Sequence, residues 1–186
     1  MIVADAQREV RRVYLGGSVG QMVSGAIWLA SAALGTWVGK REAIWMLVLG
    51  GAFIFPITQL VLRVSGHAWS LSRENPLRQL AMQVAFIVPL TLPVVGAAAL
   101  HNVNWFYPGC MIIVGAHYLP FIFLYGDWRF GIVAAVLLGG GVALGMARPN
   151  EFVLGGWLTG LALVIFSVAL GIGSGNRAPV PSPRPR

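Results

Sequence analysis

The stretch "MIIVGAHYLPFIFLYGDWRF" (111–130) decides the fold, because it buries a histidine in an apolar run, three residues ahead of a proline. A soluble core and a lipid bilayer would place that histidine differently, so the solvent must be fixed first. Of the 186 residues, 57% are hydrophobic and 10% are charged, whereas soluble domains carry about 25% charged residues. A soluble fold of this length would be left with large apolar patches. The apolar residues come in long runs without the alternation of a membrane β-barrel. The sequence therefore predicts an all-α, polytopic transmembrane bundle in a single domain, with the lipid bilayer as its partner.

A hydrocarbon core about 30 Å thick takes roughly 20 helical residues. Six spans are predicted, at 13–38, 43–62, 77–100, 105–125, 130–147 and 152–173. The punctuation agrees. In "ENPL" (74–77) Asn75 is a helix cap and Pro76 a first helical residue. In "YGDW" (125–128) Gly126 is a helix stop and Asp127 the next cap. With six spans, ten of the thirteen basic residues fall on the side of the two termini, and Lys40, Arg41 and Arg148 on the other. By the positive-inside rule both termini are expected in the cytoplasm and the protein in the inner membrane. Ala30-Ser31-Ala32 resembles a signal-peptidase site, but the apolar run continues to Val38, so the first span is expected to stay uncleaved. The basic, proline-rich tail 174–186 is expected to be disordered.

Lipid gives helices no hydrophobic gain on association, so small residues that allow close approach must supply the contacts. Gly16, Gly20 and Ser24 form one such stripe, Gly131, Ala135, Gly139 and Ala143 a second, and Gly156 with Gly160 a third. They fit either contacts inside the bundle or a homo-oligomer or other membrane-protein partner. Trp37, Trp45, Trp105, Tyr107, Trp128 and Trp157 read as interfacial anchors and the deeper Trp28 as core. Cys110 reads as a small buried residue, and a single cysteine excludes an internal disulfide.

"GAHYLPFIFL" (115–124) can be laid over "GAFIFPITQL" (51–60) without a gap, matching Gly115 to Gly51 and Pro120 to Pro56. A duplicated helical hairpin would produce that match. Each proline lacks the N–H that would bond the carbonyl four residues earlier. Pro56, Pro89, Pro93 and Pro120 therefore free carbonyls at Ala52, Ala85, Pro89 and Ala116, and spans two, three and four are expected to kink. Either nearby threonines (Thr58, Thr91) satisfy these groups, or they line a polar seam.

His117 lies near the middle of the fourth span. An uncompensated polar group in hydrocarbon costs roughly 4–8 kcal/mol, so the imidazole is expected to face the bundle. Tyr118, Gln83 and Gln21 are its candidate partners, with Gln59 and Gln79 also at depth. An intramembrane ionisable residue is a functional-site hypothesis, and a structural staple is the alternative. Every carboxylate falls in a terminus or loop, and no catalytic constellation, cofactor motif or metal-ligand spacing is visible. Basic runs with interleaved aromatics are missing too, so no nucleic acid is expected.

The segments "ENPL" (74–77) and "GAHYLPFIFLY" (115–125), with the spacing between them, resemble an uncharacterised family of small bacterial integral membrane proteins, a domain of unknown function. That family pairs an NPL entry into one span with a GAH-x-LP segment in the next. The resemblance covers the third and fourth spans. It implies that Asn75, Pro76, Gly115, Ala116, His117 and Pro120 form one shared feature, and it implies no activity. Two functions remain open. One is a transporter-like protein that binds or passes a small solute or ion near His117; the other is a structural or accessory membrane subunit.

Overall fold

The computed structural model describes residues 2–67 and 70–175, with side chains to residue 172. Among the described residues seven α-helices follow one another: α1 (Val3–Val13), α2 (Ser18–Trp37), α3 (Lys40–Val64), α4 (Leu77–His101), α5 (Phe106–Tyr125), α6 (Arg129–Ala147) and α7 (Leu154–Gly175). Helices α2 to α7 are long and apolar enough to cross a membrane, and they coincide with the six expected spans. No strand occurs among the described residues. Residues 176–186 of the expected tail lie outside the described residues.

The breaks between helices follow the sequence punctuation. Asn75 Oδ1 accepts the Leu77 N–H at 2.9 Å and opens α4. Gly126, at φ 59°, ends α5 in a left-handed turn. Asp127 accepts the Arg129 N–H at 3.0 Å and pairs with its guanidinium at 2.6 Å. The helices run unbroken through Pro56, Pro89, Pro93 and Pro120.

Two helix groups are joined through α7. Helix α2 lies between α7 and α3, while α5 lies between α6 and α4, and α7 also touches α5 and α6. Small residues set these contacts. A Cβ on Gly25 of α2 would lie 3.0 Å from the Gly160 carbonyl of α7, and one on Gly115 of α5 would lie 2.8 Å from the Leu138 nitrogen of α6. Gly156 and Gly160 therefore serve contacts inside the bundle. On α6 the packing face is Ala134, Gly141 and Gly145; the expected stripe is rotated away from it, with Ala135, Gly139 and Ala143 exposed.

Trp28 is core and Trp37, Trp45 and Trp128 are exposed, as expected. Tyr107 is the exception among the anchors. It is fully buried and bonds Ser31 Oγ at 2.6 Å, while Ser31 donates to the Ala43 carbonyl at 2.8 Å. A hydroxyl with a buried partner no longer needs the water interface.

Helix α1 is an addition to the six-span reading. It buries Ala6, Val10 and Val13, one face of an amphipathic helix. Gln7 donates to the Phe123 carbonyl at 2.5 Å, and Arg11 donates to the Tyr125 carbonyl, satisfying the last turn of α5. Glu9 accepts from the Ser72 N–H at 2.7 Å and from the Asn75 amide at 2.9 Å. The chain then turns into α2 through three consecutive left-handed residues, Leu15 (φ 48°), Gly16 (φ 66°) and Gly17 (φ 88°). A leucine in that region is strained by about 1–2 kcal/mol, and Ser18 Oγ holds it by donating to the Leu15 carbonyl at 2.9 Å.

Candidate functional site

Part of the expected polar cluster assembles. Tyr118 on α5 donates to Gln21 Oε1 on α2 at 2.9 Å, and both residues are buried. His117, one residue earlier, is turned about 100° around the same helix and bonds the main chain of Val84 on α4. Its ring lies 4.9 Å from that of Phe121 and 5.6 Å from that of Tyr118. The Nδ1 atom is buried with no hydrogen-bond partner among the described residues.

Other members go elsewhere. Gln83 and Gln79 are exposed on α4, so Gln83 does not meet the imidazole. Gln59 pairs with the Tyr14 phenol at the end of α1, and its Oε1 has no donor among the described residues. Ala52, Ala85, Pro89 and Ala116, whose carbonyls the prolines free, are all exposed rather than gathered inside. Thr58 and Thr91 donate instead to Ile54 and Ile87, each at 2.7 Å. Gly51 is open to its surroundings while Gly115 is packed hard against α6, so the two halves of the apparent repeat occupy unlike environments.

A different feature dominates the surface. Helices α3 and α4 are consecutive, yet they meet at most glancingly. Only 11% of each apolar window is buried, against 33–39% for the other four spans. Between them lies an open groove of about 630 Å³. Phe55, Pro56 and Leu60 of α3 face Met82, Ala85 and Phe86 of α4 across it. At one end stand Arg63, Arg78, Gln59 and Tyr14. A second hollow of about 540 Å³ shares Arg78 and Met82 and adds Arg73, Glu74 and Gln79.

The groove has a regular internal order. Phe55, Gln59 and Arg63 recur every four residues on α3, as do Arg78, Met82 and Phe86 on α4. Each stripe carries its aromatic at depth and its arginine at the helix end. Eight residues of helix span about 12 Å, so the trough runs about that far from the arginines along both helices, with Gln59 halfway along α3. These stripes were legible in the sequence. They escape notice because the positive-inside rule already accounts for Arg63 and Arg78. No group of histidine, cysteine or carboxylate side chains suited to a metal ion occurs among the described residues.

Six apolar spans with a laterally open trough define a multi-pass helical membrane protein. The chain belongs to a family of unknown function, DUF7010, whose model matches residues 3–172 and thus takes in α1 with all six spans. No curated protein and no solved structure matches it.

Proposed function

We propose that this protein binds a membrane-resident ligand in the groove between α3 and α4. The observation that carries the proposal is the separation of two sequence-adjacent spans around an apolar trough with a polar, basic end. A ligand that already lives in the bilayer reaches such a trough sideways, without a water-filled path. The charge distribution supports an orientation with both termini, and hence the Arg63–Arg78 end, in the cytoplasm of an inner-membrane protein.

The test is site-specific photo-crosslinking in native membranes. Photoreactive residues at Phe55 and Met82 are expected to capture co-purifying lipid-soluble material well above Val136 and Ile165. Those two are comparably exposed residues on α6 and α7. Equal capture at all four would reduce the groove to ordinary lipid-facing surface. Capture of protein alone at Phe55 and Met82 would favour an accessory subunit seated on α3 and α4.

A second reading, passage of a small solute or ion past His117, draws support from its buried Nδ1. Neither hollow described above is lined by His117, Tyr118 or Gln21, which makes it the weaker choice. It requires that His117→Ala abolish flux in proteoliposomes while the protein still assembles.

A further inference from the structure

We infer that the occupant of the α3–α4 groove is an anionic lipid, its acidic headgroup held between Arg63 and Arg78 and one acyl chain lying along Phe55, Met82 and Phe86. This rests on the groove reading above and adds the chemical class of the ligand. The two arginines come from facing helices, Arg63 in the last turn of α3 and Arg78 in the first turn of α4, and both line the same cavity. A guanidinium fork matches the oxygens of a phosphate diester better than an ammonium does. The Gln59 amide and the Tyr14 phenol at the same end offer hydrogen bonds to glycerol or ester oxygens. Along α4 the lining is apolar for about 12 Å from Arg78 to Phe86, and on α3 it is apolar for about 6 Å beyond Gln59 to Phe55, room for part of one acyl chain.

Charge distribution favours this end over its neighbour. The second hollow contains a carboxylate, Glu74, beside Arg73, whereas among the described residues the lining of the first includes none. An anionic group is therefore drawn towards Arg63 and Arg78. A neutral zwitterionic lipid would bring its own cation against two arginines, and free phosphate would leave the trough empty.

Full-length protein in nanodiscs, made with phosphatidylglycerol or with phosphatidylcholine, tests the inference through lipid capture at Met82 and through native mass spectrometry of the released protein. Phosphatidylglycerol is expected to be retained about twenty-five-fold better, since each of the two arginines adds about a factor of five near a membrane surface. The double variant Arg63→Gln/Arg78→Gln is expected to lose that preference. Arg63→Lys/Arg78→Lys should keep most of it, and Arg148→Gln, at the opposite ends of the spans, should keep all of it. Equal retention of both lipids with capture still concentrated at Met82 would overturn the anionic headgroup and leave the groove reading intact. No enrichment at Met82 over Ile165 with either lipid would overturn both. Displacement of the preference by millimolar inorganic phosphate would identify a free-anion site and overturn the lipid assignment.

Discussion

The Tyr118 hydroxyl reaches across from α5 to donate to the Gln21 amide oxygen of α2 at 2.9 Å. The bond joins the two helix groups in the apolar interior, where an unmatched amide oxygen has no water to turn to. Tyr118→Phe removes the donor and is expected to cost about 1–2 kcal/mol. The double variant with Gln21→Leu should recover much of that loss, because the Gln21 amide oxygen is then no longer left without its donor. Unfolding in detergent micelles measures both. Strictly additive losses would show that the two side chains are not coupled.

Close backbone contact between α2 and α7 gives a second expectation. A Cβ on Gly160 would lie 2.7 Å from the Leu29 side chain and 3.0 Å from its nitrogen. Gly160→Ala is therefore expected to lower stability by about 1–3 kcal/mol. Gly139→Ala, where a Cβ meets nothing within 4 Å, should be neutral. If thermal unfolding ranks the two in the other order, the packing face has been misassigned.

The tether of α1 is expected to be acid-labile. The Ser72 main-chain N–H, then the Asn75 and Ser72 side chains and Arg12, hold the Glu9 carboxyl below its ordinary value of 4.5 against the opposing effect of desolvation. Because the folded-state pKa is the lower one, the contribution is complete above 4.5. It is lost as pH falls through the lowered folded value. Hydrogen exchange should show α1 amides protected across the neutral range and opening only in acid. Glu9→Gln should open them at neutral pH. Protection in the variant equal to that of the parent would leave Gln7 and Arg11 as the anchors that matter.

Asn75 has two duties, donating its amide to the Ala6 carbonyl and to Glu9 while its oxygen caps α4. Asn75→Ala should cost about 1 kcal/mol at the cap and loosen α1 as well. Asn75→Asp should keep the cap and lose only the tether. Exchange rates in α1 and in the first turn of α4, read separately, distinguish the two effects.

Much of the fold is legible because bilayer thickness sets run length. The six spans and the caps at Asn75, Gly126 and Asp127 can be read directly from the chain. Which spans lie at the periphery cannot be read the same way. Lipid tails are as apolar as a protein core, so Phe55 and Phe86, facing a groove, look the same in sequence as the buried Phe130. Rotation about a helix axis is lost for the same reason. His117 and Tyr118 are neighbours in the chain, yet one meets Val84 of α4 and the other Gln21 of α2. Helix α1 leaves a fainter trace: Ala6, Val10 and Val13 recur at helical spacing, but its eleven residues fall short of a bilayer crossing.

The seat of α1 has a consequence for biosynthesis. Helix α1 binds Ser72, Asn75, Phe123 and Tyr125, partners 63 to 116 residues further along the chain, so it is synthesised well before them. Its Glu9 anchor is available once Ser72 and Asn75 have been made, but the full seat needs the end of α5, the fourth of the six spans. The complete docking of α1 therefore couples a segment made early to the arrival of α5, with α6 and α7 still to follow.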